Sequence, residues 1–284
     1  LVAGQVAGAG VDVYSKEPCT DSPLFTLDNV VATPHLGAST DEAQEKAGIA
    51  VAKSVRQALA GELVPDAVNV EGGSIDESVR PFIEATEKIG RIASSLAPSP
   101  IASVDISVLG EIAEQDVRVL QLSALKGVFS VLVEDPVSYV NAPVLAADRG
   151  VESTLTTDLD CREHRAVVRV KLALTDGRSI VVAGTVTGPR DIEKLIEIDG
   201  FEIDVPISSH MAFYTYDDKP GIVGVVGQIL GSANVNIAGM QVSRTKAGGE
   251  ALIALTVDSA IPAGTLDAIA AGIGAAAVNA VDLD

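Results

Sequence analysis

The sequence predicts a chain of more than one domain, built from α/β and α+β layers. Three observations carry that prediction. Two short β-branched runs near the start, "VAGAGVDVY" (6–14) and "NVVATPH" (29–35), stop at polar or proline-containing loops, as buried parallel strands do. The middle alternates strand-like and helix-like runs, with Asp-Gly between two alternating stretches at "TDGRS" (175–179), a hairpin signal. From residue 209 onward the order is strand, helix, strand, strand, helix, strand, which makes a layer of four antiparallel strands with two helices on one face. A length of 284 residues suits more than one core.

Composition narrows the chemistry. Hydrophobic residues are 47% of the chain but aromatic residues only 3%, so the cores are built from Val, Ile, Leu and Ala. Lys and Arg total 20 against 39 Asp and Glu, a formal charge of −19. Such a field repels phosphate backbones and acidic lipid, so neither nucleic acid nor a membrane surface is an expected partner, although local cations or amides can still hold a small anion. Cys19 and Cys161 are far apart and in no ligand spacing; the expectation is a reducing cytoplasm, unpaired thiols and no metal. No run reaches the roughly 18 apolar residues of a membrane span. "LVAGQVAGAG" has neither an initiator Met nor a basic segment and is expected to be the middle of an α/β unit whose beginning precedes Leu1.

The elements follow in order. Open parallel sheets place ligands at the carboxyl ends of their strands, which makes Asp12, Glu17 and His35 the candidate site residues. Ser39, with Glu42 three residues on, predicts a capping box, and Ala43, Ala47, Ala50, Val51, Val55 and Leu59 continue at helical spacing to Gly61. That helix begins just past His35, and its free amides favour negative charge. "LVPDAVNVEGGS" (63–74) predicts a domain boundary. A helix follows over about 75–96, burying Phe82, Ile83, Ile89, Ile92 and Ala93, and "APSPIAS" ends it.

Strands are predicted at "SVDISVLG" and "AVVRVKLALTDGRSIVVAGTV", and a helix at "EDPVSYVNAPVLAADRG". "HMAFYTY" alternates as a strand, and "DDKPGIVGVVGQILGSA" turns into a helix at Pro220 with Ile222, Val223, Val226, Ile229 and Leu230 on one face. "VNIAGMQVSR" and "EALIALTVD" are strands joined through "TKAGG"; helix "IPAGTLDAIAAGI" and strand "AVNAVDL" finish the chain.

These residues carry a resemblance. "DKPGIVG" and "ANVNIAGM" within the last βαββαβ unit are similar to the ACT family of small-molecule-sensing modules. "AGVDVYSKEP", "PLFTLDNVVATPHLGAST" and "DAVNV" resemble the end of the catalytic part of the D-3-phosphoglycerate dehydrogenases, and the middle resembles the intervening domain of their long form. The resemblance implies residues 1–73 as the C-terminal remnant of the nucleotide-binding and substrate-binding catalytic domains, with a Rossmann-like fold. It implies 74–208 as the intervening substrate-binding-like domain and 209–284 as the ACT domain.

The implied activity is NAD-dependent oxidation of a small phosphorylated hydroxy acid, D-3-phosphoglycerate to 3-phosphohydroxypyruvate, the first step of L-serine biosynthesis. His35 would be the acid/base and Glu17 its orienting partner, an imidazole being suited to take a hydroxyl proton near neutral pH. Asp12, His35, Leu36, Gly37 and Ala38 would line the NAD site. A lone histidine after proline is more often a turn residue, Glu17 alone a loop carboxylate, and Asp12 alone a strand-end cap; the three at neighbouring strand ends favour the catalytic reading. No glycine-rich phosphate loop precedes Asp12, so activity is assigned to the intact protein and this fragment alone is expected to be inactive.

By the same resemblance, the effector L-serine lies between ACT domains of different subunits, with Tyr216, Asp218 and Asn236 at the matching positions. A homo-oligomer, an even-numbered one and by expectation a tetramer, goes with that placement. The plain alternative makes Asp218 an N-cap and Asn236 a turn residue. Lys194 matches a cationic position for anion binding, but Glu202 and Pro206 stand where some relatives carry basic residues, and Lys194 is otherwise a surface lysine on a helix. His164 and His210 have no partner visible in the sequence. Two further readings are a non-catalytic amino-acid-sensing subunit like that of serine dehydratases and a plain oligomerisation domain. Glu17 and His35 at strand ends argue against the first of these.

Overall fold

The computed structural model describes residues 1–64, 66–67, 75–161, 163–246 and 248–284. Most of the predicted boundary at 63–74 therefore lies outside the described residues. The chain divides into two compact units, Leu1–Ala60 and Gly61–Asp284.

In the first unit, strand β1 (Ala9–Val11) pairs in parallel with β2 (Val30–Ala32), in the register Ala9 to Val30 and Val11 to Ala32. A short 3-10 turn at Pro23–Thr26, capped by the Ser22 hydroxyl, lies between them. Helix α1 runs from Asp41 to Leu59. Its cap is Thr40, not Ser39: the Thr40 hydroxyl accepts from the Ala43 amide at 3.1 Å, and Ala43 rather than Glu42 thus occupies the third helical position. The capping box is not formed, and Asp41 and Glu42 meet the helix dipole from the first turn. The apolar stripe expected on this helix is not buried; Val51, Val55 and Leu59 are all exposed, as is Ile49 outside it.

The second unit contains two sheets. Helix α2 (Arg80–Leu96) starts five residues later than predicted, because Asp76 closes a turn over Ser78, Val79 and Arg80 first. It buries Phe82, Ile89, Ile92 and Ala93, with Ile83 half-buried. Strand β3 (Ile101–Gly110) follows, then helix α3 (Arg118–Leu132), which the alternation-based reading missed because its apolar residues run almost all round it. The helix predicted over "EDPVSYVNAPVLAADRG" shrinks to α4 (Ala142–Asp148), which carries Pro143 in its first turn, since Pro136 and the Ser138–Asn141 turn occupy the part before it.

Strands β4 (Glu152–Asp158), β5 (Ala166–Leu174), β6 (Ser179–Thr187), β7 (Ile192–Ile198) and β8 (Phe201–Pro206) complete a six-stranded sheet in the order β4-β3-β5-β6-β7-β8. Only β3 and β4 pair in parallel. The segment around Lys194 is thus strand, not helix. Asp199 and Gly200 both take positive φ (47° and 82°) and turn β7 into β8, the same Asp-Gly signal that marks the β5–β6 hairpin.

The second sheet has the order β10-β11-β9-β12, from β9 (His210–Asp217), β10 (Ile237–Arg244), β11 (Glu250–Val257) and β12 (Ala277–Asp282), all antiparallel. Helices α5 (Ile222–Ser232) and α6 (Ala263–Ile273) complete the predicted βαββαβ unit. They pack on Ala212, Tyr214, Tyr216, Ile253 and Leu255. Val223, predicted on the buried face of α5, is exposed; Ile222, Val226 and Leu230 form that face.

The opposite sheet face, Met211, Phe213, Leu252, Ala254 and Val281, belongs to the same apolar cluster as α2 and the six-stranded sheet. Polar bonds reinforce the junction: Arg91 donates to the Leu283 and Asp282 carbonyls at 2.7 and 2.9 Å, and Asn279 donates to the Ser95 carbonyl at 3.0 Å.

α2 and α3 approach closely because each offers a glycine to the other. A Cβ on Gly127 would collide with the Glu87 carbonyl, and one on Gly90 would come within 2.6 Å of the Ala124 carbonyl. Gly127→Ala is therefore expected to destabilise the second unit by about 1–3 kcal/mol, the usual cost of overpacking, against a helix-propensity gain of roughly 1 kcal/mol. Urea denaturation followed by circular dichroism measures it; a stabilised variant would contradict this packing.

Candidate functional site

The parallel pairing of β1 and β2 sets their carboxyl ends side by side, so Asp12 and Thr33 leave the sheet as neighbours. The Thr33 hydroxyl donates to Asp12 Oδ1, as does the Leu36 amide at 2.7 Å, while the Gly37 amide donates to Oδ2 at 2.8 Å. His35 sits within this loop with φ of 59°, in the left-handed region where a non-glycine residue is held by its surroundings. Its Nδ1 lies 2.7 Å from Glu17 Oε2, and the other Glu17 oxygen accepts from the Tyr14 amide at 2.8 Å. A cleft of about 500 Å³, walled by Tyr14, Phe25, Val30, Ala32 and Pro34, opens beside His35 and Glu17.

The structure thus brings Asp12, Glu17, His35, Leu36 and Gly37 together; Ala38 follows in the same exposed loop. Thr33 and the Tyr14 amide, which fix the two carboxylates, were not singled out from the sequence. Thr33 was legible as the residue directly after a strand whose parallel neighbour is followed by Asp12.

The hydrogen bond that the ring donates to Glu17, followed by the Glu17 charge, raises the His35 pKa above the ordinary imidazole value. The same bond, with the Tyr14 amide, lowers that of Glu17. The Thr33 hydroxyl and the Leu36 amide lead in lowering Asp12. A raised imidazole pKa means that the folded chain holds this proton more tightly than the unfolded chain. The pair's contribution is whole below about pH 6.5 and is lost as pH rises through the folded value. At the acid end it fades as Glu17 protonates, below the ordinary carboxylate value of about 4.3.

The expected effector residues do not converge within one chain. Tyr216 is buried on the helix side of its sheet. Asp218 accepts from Arg244 Nη1 at 3.2 Å and from the Gly248 amide at 3.4 Å; it does not cap α5, whose N-cap is Gly221. Asn236 donates to Asp258 at 2.6 Å. It precedes Ile237, which aligns through Val257 with His210, so it lies at the far end of the sheet from Tyr216, roughly 20 Å along the strands.

Lys194 Nζ lies 2.8 Å from Asp204 on β8. His210, without a visible partner in the sequence, has its ring nitrogens 3.5 Å from Asp282 and 3.8 Å from Asp284, whereas His164 is half-buried. Cys19 and Cys161 are both free. No described helix is long and apolar enough to cross a membrane.

Glu17→Gln is expected to move the His35 titration down toward the ordinary imidazole value of about 6.5. NMR of the ring protons against pH reads this directly, and an unmoved titration would mean that the carboxylate does not act on the ring.

Comparison with known proteins identifies three families along the chain. Residues 1–37 match the NAD binding domain of D-isomer specific 2-hydroxyacid dehydrogenases, 78–199 the intervening domain of D-3-phosphoglycerate dehydrogenase, and 210–271 the ACT domain. D-3-phosphoglycerate dehydrogenase of Mycobacterium leprae is 46% identical over 281 residues, covering 99% of this chain and 53% of that protein. The enzyme of the same name from Mycobacterium tuberculosis is 46% identical over 283 residues, 100% of this chain and 54% of that protein. The one from Bacillus subtilis is 34% identical over 260 residues, 91% and 49% respectively. The chain spans about half the length of the curated relatives it matches. With three domain matches in this order, the chain is similar along its whole length to D-3-phosphoglycerate dehydrogenases and carries matches to that enzyme's intervening domain and to the ACT domain.

Proposed function

We propose that the protein containing this chain oxidises D-3-phosphoglycerate to 3-phosphohydroxypyruvate with NAD, the first step of L-serine synthesis, in the cytoplasm. The observation that carries this reading is the 2.7 Å contact between His35 Nδ1 and Glu17 at the carboxyl ends of two parallel strands. Glu17 holds the Nδ1 side, which leaves Nε2 to take the substrate hydroxyl proton, and its charge stabilises the imidazolium that results. Bound NAD would supply the hydride acceptor.

The residues present fit that cofactor. A carboxylate has about four lone-pair sites, and Asp12 commits three to Thr33, Leu36 and Gly37, so one remains for an amide donor such as a nicotinamide carboxamide. The loop from His35 to Ala38 would form one wall of the site. Domain limits of 1–73, 74–208 and 209–284 remain part of this proposal. In the whole enzyme, His35→Ala is expected to lower turnover by about 100-fold or more, the loss of a general base; near-normal turnover would remove His35 from proton transfer.

The ACT unit is proposed to bind L-serine between two subunits of a homo-oligomer, a tetramer. The separation of Asn236 from Asp218 supports an arrangement in which one subunit supplies Asp218 and Tyr216 and its neighbour supplies Asn236. Asp218 would receive the serine ammonium, in competition with Arg244. Asn236→Ala is expected to raise the serine concentration for half-inhibition by about tenfold, the worth of one charge-assisted hydrogen bond. Equal inhibition in variant and parent would exclude this residue. For Lys194, the ion pair with Asp204 means that a substrate anion would have to displace a carboxylate.

A further inference from the structure

A second cleft, of about 520 Å³, opens where α2 and α3 both end, closed on its other sides by the loop into β3 and by the turn from α4 into β4. Its walls are Ile101, Phe129, Leu132 and Val151, with Ser94 at the base and Arg149 at the rim. Ser94 and Arg149 lack the partners that their counterparts have, and the Ser99 Oγ on the loop side of the cleft is likewise buried without a hydrogen-bond partner among the described residues.

The hydroxyls of Thr86, Ser95, Ser123 and Ser232 all fold back to the carbonyl four residues earlier in their own helices. Ser94 does not. It is 5% exposed, and its Oγ is buried without a hydrogen-bond partner among the described residues, a state that costs free energy unless something else fills it. The Arg149 guanidinium lies 5.9 Å above the Phe129 ring and touches only the Leu145 carbonyl, at 3.4 Å, with no carboxylate in ion-pair range among the described residues.

Both helices present their C-terminal ends to this cleft, where the dipole favours positive charge; the Ser94, Ser95 and Phe129 carbonyls already accept from the Ala97 amide, the Asn279 side chain and the Val133 amide. A ligand matching the whole site therefore needs an anionic group for Arg149, a cationic donor for Ser94 Oγ at the negative ends of the two helices, and an apolar body for Phe129, Leu132, Ile101 and Val151. We propose that this cleft binds a free α-amino acid with an apolar side chain, as a ligand site in the intervening domain separate from the ACT unit. A simple carboxylate would face the helix dipoles unaided, and a simple amine would face the guanidinium.

Calorimetric titration of the 284-residue chain with L-phenylalanine tests this, with phenylacetate and phenethylamine as probes that each lack one charge. Expected are saturable binding of L-phenylalanine at millimolar concentration and about tenfold or greater weakening for either probe. Arg149→Ala and Ser94→Ala should weaken L-phenylalanine binding similarly. Ser94→Ala should leave thermal stability equal or higher, because it removes an unpaired buried hydroxyl. Asp218→Ala should leave L-phenylalanine binding unchanged. The proposal is overturned by absence of saturable heat, by full affinity in Arg149→Ala, by phenylacetate binding as well as the amino acid, or by loss of binding in Asp218→Ala, which would place the ligand in the ACT unit instead.

Discussion

The candidate catalytic site depends on one constraint, the parallel pairing of Ala9–Val11 with Val30–Ala32. Antiparallel pairing would put the two strand ends at opposite edges. Parallel pairing in this register makes Asp12 and Thr33 neighbours, and the Asp12 carboxylate then gathers the Thr33 hydroxyl and the amides of Leu36 and Gly37. With those three bonds made, the chain passes His35 in a left-handed conformation, and its ring meets Glu17. Gly37 suits this tight loop, because a Cβ there would come within 3.0 Å of Asp12 Oδ2. The Asp12 carboxylate organises the loop, and the Glu17 carboxylate orients the ring that the loop presents.

The second unit is organised by burial on both faces of its smaller sheet. One face holds α5 and α6, and the other shares a core with α2 and the larger sheet, so the two lobes are joined by apolar packing. Arg91 and Asn279 satisfy backbone carbonyls at the edge of that core, where unpaired ones would be costly. Through α2 the shared core reaches the glycine contact with α3, and α2 and α3 end at the cleft holding Ser94 and Arg149. The smaller sheet and the six-stranded sheet thus share one continuous apolar core through α2.

Much of this was legible in the sequence where local chemistry decides structure. The βαββαβ order was readable because alternation, Pro220 and the glycine-bearing turns all agree, and the His35–Glu17–Asp12 grouping because strand ends are marked by polar residues. Helix α3 was missed because burial around most of its circumference removes the amphipathic period. The β7–β8 hairpin was missed although Asp199-Gly200 marks it, since "EKLIEI" also reads as helix by propensity. Thr40 displaced Ser39 as cap because adjacent hydroxyls compete for the same role, and only the loop from His35 decides between them. The continuous apolar run "ALIALTV" was read as a strand with helices on one face of its sheet; that its second face is also covered, which such a run is consistent with, was not read from the sequence.

The central claim is that Glu17 and His35 act as one proton-transfer unit. The most direct test is a double-mutant cycle on kcat/KM in the whole enzyme, with Glu17→Gln, His35→Ala and the combined variant. The account predicts strong non-additivity, the double variant being no slower than His35→Ala alone, because a carboxylate that works through the ring has nothing to act on once the ring is gone. Losses that multiply independently would contradict it.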